Sequence, residues 1–103
     1  MAEFKRISAV EANELIAANA ESHVVDIRDE NAFNASHINN AIHLNNANVQ
    51  EFILNAEFET PLIIYCYHGI SSQNAAHMFA EQGFEEVYSV DGGYEAWQTQ
   101  PPA

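Results

Sequence analysis

The chain has 103 residues, 48% of them hydrophobic and 17% charged, which is the balance expected of one compact globular domain spanning residues 1–103. Only three basic residues stand against 15 acidic ones, so the formal net charge of −12 argues strongly against nucleic-acid binding and disfavours binding to anionic membranes. The single cysteine excludes an internal disulfide, and no apolar run reaches signal-peptide or membrane-span length, so we expect a cytoplasmic protein.

The first predicted elements are a strand and a helix. Residues 4–7 are compatible with a strand, and a helix follows over residues 8–20. Ser8 and Glu11 mark its start, because they form a capping box of the S-x-x-E type that satisfies two free amides at once. The helix carries an apolar stripe along one face: Val10, Ala12, Leu15 and Ile16.

Short strands and helices continue to alternate up to residue 56. Residues 23–27 form an apolar run rich in β-branched residues, which predicts a buried strand. Residues 30–36 predict a short helical turn, residues 41–44 a third strand, and residues 48–56 an amphipathic helix. No repeat or linker-like segment interrupts this order, so a single domain is expected.

The most apolar strand is predicted over residues 61–66, and the next helix over residues 71–83. Either Ser71 or Ser72 can cap the start of this helix. Gly83 supplies the left-handed residue that ends it.

A fifth strand over residues 86–90 and a short helix over residues 93–98 complete the pattern, and residues 100–103 are expected to fray. Because strands alternate with helices throughout, we predict an α/β fold with a parallel sheet flanked by helices on both faces. Functional sites of such sheets lie at the carboxyl ends of the strands. Cys66 occupies one of these ends.

Cys66 begins a short loop, residues 66–72, that leads into a helix. If this Cys66 loop curls, its N–H groups and those of the helix N-terminus converge on one point and stabilise an anion there. Gly69 permits a backbone conformation that a side chain would block. We therefore predict a Cys66 thiolate at neutral pH, with a pKa below the ~8.5 of a free thiol. The alternative is an inert cysteine buried at a strand end.

Three separated motifs, spread over nearly the whole chain, follow one family pattern. The loop sequence CYHGIS lies in the middle, and Gly92, Gly93 and Trp97 form a closing motif. The first motif holds six matching residues: Asp26, Arg28, Phe33, His37, Ile38 and Ala41. In these motifs the chain resembles the rhodanese family, most closely its small single-domain thiosulfate sulfurtransferases. The resemblance implies a five-stranded parallel sheet.

The resemblance also implies that Cys66 is the catalytic nucleophile. Its thiolate would attack the outer sulfur of thiosulfate, release sulfite and hold a persulfide, which cyanide or a dithiol protein such as thioredoxin then removes. The loop implied to bind the anionic substrate has six residues: Tyr67, His68, Gly69, Ile70, Ser71 and Ser72. The expected protein is a monomer with no cofactor and no metal site.

The Cys66 loop departs from the family pattern at one position. Many relatives carry an arginine where this chain has Ser71, so no permanent cation faces the thiosulfate dianion, and we expect a high apparent KM. Ile70 either narrows the pocket or presents an apolar surface to a protein acceptor. His68 is a general base, a weak anion contact or a solvent-facing residue, and Tyr67 packs at the loop edge or lines the pocket.

Other functions compete with sulfur transfer. A cysteine phosphatase or arsenate reductase needs C-x₅-R, but Ser72 occupies the arginine position. A thiol–disulfide oxidoreductase needs C-x-x-C and a second cysteine. A non-catalytic rhodanese-like binding module or a sulfur-carrier protein remains the alternative. Outside the loop, Arg28, paired with Asp26 or another acid, is interpreted as part of an ion pair that stabilises the fold, and Trp97 as a core anchor.

Overall fold

The computed structural model describes residues 3–19 and 21–99, and within them strands and helices alternate as predicted. The expected fraying of residues 100–103 and the end of the first helix at residue 20 lie outside the described residues. The strands are β1 (Lys5–Ile7), β2 (His23–Asp26), β3 (Ile42–His43), β4 (Leu62–Tyr65) and β5 (Val87–Val90). The helices are α1 (Ala9–Ala18), α2 (Glu30–Ala35), α3 (Val49–Asn55), α4 (Ser71–Gln82) and α5 (Gly93–Thr99).

The five strands form one parallel sheet in the order β1-β5-β4-β2-β3. The central strand β4 is buried along its whole length, because it has a neighbouring strand on each side and helices on each face. The predicted α/β class with a five-stranded parallel sheet is confirmed.

Helices cover both faces of the sheet and create two apolar cores. One core packs α3 and α4 against the sheet and includes Ile53 and Phe79. The other packs α1 and α5 against the opposite face and includes Ala12 and Tyr94, with Trp97 partly buried at its edge. The predicted layers on both faces are therefore confirmed, and Trp97 packs in a core as interpreted.

The start of α1 is confirmed, whereas its predicted apolar stripe is partly wrong. The Ser8 hydroxyl accepts from the Glu11 N–H, and the Glu11 carboxylate accepts from the Ser8 N–H. Val10, however, is 54% exposed, and Ala9 is buried in its place. Val10 lies two positions before Ala12, which is about 200° around a helix of 3.6 residues per turn, so the two side chains point in opposite directions.

The parallel register brings the carboxyl ends of β2, β4 and β5 to one edge of the sheet. Asp26 is the register partner of Tyr65, and Ile64 is the partner of Ser89. The Cys66 loop leaves β4 at this edge, between the turns that follow β2 and β5. Among residues 3–19 and 21–99, the structure contains no helix with the length and apolar character needed to cross a membrane.

Candidate active site

Cys66 directly follows β4 and is only 3% exposed, because the loop wraps around its side chain. The Gly69 N–H donates to Cys66 Sγ at 3.1 Å, and the Ser72 N–H donates to it at 3.3 Å. The two amides come from the middle and the end of the Cys66 loop and meet at the sulfur. A group that accepts from both is stabilised as an anion.

The sulfur also takes the place of a helix cap. The residue at the N-cap of α4 is Ile70, which makes no side-chain capping bond, so the predicted cap at Ser71 or Ser72 is wrong. Both serines lie inside the first helical turn, where the N–H groups have no partner within the helix. Cys66 Sγ accepts one of them, that of Ser72. The end of α4 is as predicted, since Gly83 is left-handed with a φ of 115°.

The hydrogen bonds around Cys66 outweigh its burial. Burial raises the pKa of the thiol, but the Ser71 and Ser72 hydroxyls and the Ser72 and Gly69 amides favour the thiolate. Together they lower the pKa of Cys66 to about 7. A substantial fraction of the protein therefore carries a thiolate at neutral pH, and the causes of the shift include no ionised side chain.

The α5 N-terminus holds the other side of the loop. The Tyr94 N–H donates to the Cys66 carbonyl at 2.8 Å, and the Glu95 N–H donates to the Tyr67 carbonyl at 3.2 Å. The first two carbonyls of the loop are thus hydrogen-bonded to α5, while the amides of Gly69 and Ser72 bind the sulfur. The contacts of Tyr94 and Glu95 were not predicted, although two glycines directly after a strand are a signal of close backbone approach.

Two glycines allow the loop and the β5–α5 turn to pack backbone against backbone. Gly69 has a φ of 88°, and a Cβ there would lie 2.6 Å from the Gly92 nitrogen. Gly93 has a φ of 58°, and a Cβ there would lie 2.6 Å from the Tyr67 carbonyl carbon and collide with the Cys66 carbonyl oxygen. The family motif at Gly92 and Gly93 thus fits directly beneath the Cys66 loop.

Arg28 is buried at the edge of the sheet where the carboxyl ends of the strands lie. It is 6% exposed, and its Nη2 lies 2.7 Å from Asp26 Oδ2, so the interpretation as a fold-stabilising ion pair agrees with the structure. Its guanidinium lies 4.1 Å from the centroid of the Tyr94 ring and 5.8 Å from that of Tyr67. Arg28 therefore connects the end of β2 to α5 and the loop, and its charge is already neutralised by Asp26.

The outer rim of the loop carries no fixed cation. Tyr67, His68, Ile70 and Ser71 are exposed, whereas Gly69 and Ser72 are buried. His68 is 66% exposed in its side chain, and its Nδ1 lies 3.1 Å from Glu95 Oε2. Ile70 is 75% exposed, so it presents an apolar surface to solvent rather than filling the space around Cys66.

Two depressions lie near the end of β2, and neither lining includes Cys66. One, of about 310 Å³, is lined in part by Arg28, Tyr67, Tyr94 and Glu95, so Tyr67 lines a pocket beside the loop. The other, of about 570 Å³, lies between the ends of β2 and β3 and helix α4, and its lining includes Met78 but not Cys66. Tyr67 therefore borders open space beside the loop, whereas Cys66 itself is buried.

Comparisons with known proteins agree on one family. The profile described as "Rhodanese-like domain" matches residues 8–100. The chain is 50% identical over 97 residues to the thiosulfate sulfurtransferase GlpE of Shewanella oneidensis, covering 94% of this chain and 95% of that protein. It is 52% identical over 103 residues to the GlpE of Pseudomonas putida, covering 100% and 93% of the two chains.

Solved structures show the same fold. A rhodanese-related protein from Thermoplasma volcanium matches with a TM-score of 0.78 and 25% identity, covering 95% of this chain and 96% of that one. A rhodanese-like domain protein from Staphylococcus aureus matches with a TM-score of 0.78 and 21% identity, covering 91% of each chain.

Proposed function

The chain belongs to the rhodanese-like domain family, and on that premise we propose that it is a thiosulfate sulfurtransferase in which Cys66 is the nucleophile. The predicted resemblance to the small thiosulfate sulfurtransferases is confirmed, since relatives of that name are about 50% identical over nearly the whole chain. One observation carries the assignment of the residue. Cys66 Sγ accepts two backbone N–H groups at the carboxyl end of the central strand.

In the first half-reaction the Cys66 thiolate attacks the outer sulfur of thiosulfate. A bond forms between Sγ and that sulfur, the S–S bond of thiosulfate breaks, and its electron pair leaves with sulfite. A monoanionic thiolate and a dianionic donor thus give a monoanionic persulfide and a sulfite dianion. The Gly69 and Ser72 amides are already directed at the sulfur, so they stabilise the anion without reorganisation.

In the second half-reaction a thiophilic acceptor attacks the outer sulfur and restores the thiolate. Cyanide takes the sulfur as thiocyanate. A dithiol protein similar to thioredoxin becomes a persulfide; its second thiolate then attacks the inner sulfur, forms a disulfide and releases the outer sulfur as hydrosulfide. The exposed Tyr67 and Ile70 of the Cys66 loop provide an apolar contact for such a protein. A reducing cytoplasm, in which dithiol proteins are available, suits this step.

Intact mass spectrometry after incubation with thiosulfate tests the proposal. We expect the protein to gain the mass of one sulfur atom and to lose it again after addition of cyanide or a dithiol. The gain must be absent from protein whose Cys66 was first alkylated. An unchanged mass at saturating thiosulfate would overturn the proposal and support a non-catalytic binding module.

Ser71→Arg is expected to lower the KM for thiosulfate. Ser71 is exposed at the start of α4, so an arginine there can extend toward an incoming donor. One cation within ~4 Å of an anion contributes roughly 1–4 kcal/mol before desolvation, and a tenfold effect needs only about 1.4 kcal/mol. We therefore expect a KM lower by about tenfold in steady-state kinetics at low ionic strength, and a smaller difference at high ionic strength.

Ser71→Gln is the matched control for this substitution. It also removes the hydroxyl and adds a long side chain, but it adds no charge. If both variants have the same thiosulfate KM while folded and active, local charge does not limit donor binding. Attention would then shift to another donor, such as a protein persulfide delivered near Ile70.

A further inference from the structure

Two buried serine hydroxyls lie behind the Cys66 loop. Ser72, in the first turn of α4, and Ser89, on β5, are both fully buried, and their Oγ atoms are 2.8 Å apart. Ser72 is also the residue whose N–H donates to Cys66 Sγ. Ser89 thus contacts a residue that touches the sulfur, although it lies on a strand that the reaction does not otherwise use.

Which of the two serine hydroxyls donates follows from the acceptors available to their two hydrogens. Each hydroxyl has one hydrogen; among the described residues Ser89 Oγ has no other hydrogen-bond partner, whereas the Ser72 hydroxyl is also hydrogen-bonded to the Cys66 thiol. If Ser72 donated to Ser89, the Ser89 hydrogen would be buried without an acceptor, which is costly. If Ser89 donates to Ser72, the remaining hydrogen belongs to Ser72, which lies beside a sulfur that accepts strongly as a thiolate. The second arrangement satisfies both hydroxyls.

We infer that Ser89 is a positioning residue for the nucleophile: by donating to Ser72 it leaves the Ser72 hydroxyl hydrogen free for Cys66 Sγ and ties the first turn of α4 to β5. The inference rests on the proposed function only in taking the Cys66 thiolate as the reactive group. The Ser72 hydroxyl is among the groups that lower the Cys66 pKa, which agrees with this orientation. Of the ionisable side chains of the loop and α5 other than Cys66, His68 and Glu95 pair with each other in solvent, and the other two are the phenols of Tyr67 and Tyr94.

The rate of Cys66 alkylation against pH tests the inference without any sulfur donor. We expect Ser89→Ala to raise the pKa of Cys66 by about half a unit to one unit, which slows alkylation at pH 6 by roughly three- to tenfold. Ser72→Ala should raise it at least as much. The double variant should match Ser72→Ala alone, because Ser89 acts through Ser72.

A second pair of variants separates the hydroxyl from packing. Ser89→Thr and Ser89→Val add the same volume to the same buried site and differ only in the hydroxyl, so we expect the higher Cys66 pKa in Ser89→Val. Val87→Ala is a further control, since Val87 lies two positions before Ser89 on β5, and therefore on the same face of the sheet, and is not a hydrogen-bond partner of the sulfur. It should leave the alkylation profile unchanged.

Three results would overturn the inference. They are equal pKa values for Ser89→Thr and Ser89→Val, an unchanged profile in folded Ser89→Ala, and a further full shift when Ser89→Ala is added to Ser72→Ala. Failure of the proposed function has a different signature. If the protein takes no sulfur from thiosulfate but its variants show these pKa shifts, the proposed reaction is wrong and the inferred role of Ser89 stands.

Discussion

Cys66→Ser is expected to abolish sulfur transfer and to leave the fold intact. A serine hydroxyl does not ionise near neutral pH, so no nucleophile is available to take the outer sulfur, and we expect activity to fall by at least roughly a thousandfold. The serine oxygen can still accept the N–H groups of Gly69 and Ser72, which now bind the sulfur. Steady-state kinetics with thiosulfate and cyanide, together with thermal unfolding, measure the two effects.

Cys66→Ala is expected to abolish sulfur transfer as well, and in addition to lower the stability of the protein. It removes the acceptor of the Gly69 and Ser72 N–H groups and leaves these buried amides unpaired. We expect a loss of about 1–3 kcal/mol in the free energy of unfolding. That loss is larger than for a solvent-facing loop, because Cys66 is buried. Measurable sulfur transfer by either folded variant would contradict the proposed persulfide.

Gly93→Ala is expected to reduce activity by about a hundredfold without changing the substrate-binding residues. The added Cβ would lie 2.6 Å from the Tyr67 carbonyl carbon and 2.7 Å from its oxygen, so the loop must move away from α5. A displacement of about 1 Å at a reactive group can cost this much. The movement breaks the bond from the Tyr94 N–H to the Cys66 carbonyl and turns the loop amides away from the sulfur. Kinetics and the pH profile of Cys66 alkylation would show a lower kcat and a higher pKa.

Gly83→Ala is the matched control for this backbone effect. Gly83 also has a positive φ, of 115°, but its Cβ would meet the side chain of Phe58 instead of the Cys66 loop. Both variants should lose stability, and only Gly93→Ala should alter the reactivity of Cys66. Wild-type kcat in a folded Gly93→Ala protein would show that the α5 contact does not set the loop geometry.

Several features of the fold and the site could be predicted from the sequence because they depend on local patterns. The sequence pattern placed all five strands, the first of them only as compatible with a strand, with ends within one residue of those observed. Ser8 and Glu11 located the start of α1, because a capping box needs only neighbours along the chain. The position of Cys66 between the most apolar strand and a helix pointed to the reactive edge, since sites of parallel sheets lie at strand ends.

Other features depend on which strands become neighbours, and no local pattern contains that information. The sheet order β1-β5-β4-β2-β3 places β5 beside β4, so Ser89 reaches Ser72 across 17 positions of sequence and Tyr94 reaches Cys66. The same packing decided that the sulfur, rather than a serine, caps α4, because the loop curls until Sγ lies within hydrogen-bond distance of the Ser72 amide. Sequence alone thus determined the elements and the position of the candidate thiol at the end of the central strand. Only the tertiary structure decided which groups surround that thiol, because their distances are set by strand order and backbone packing.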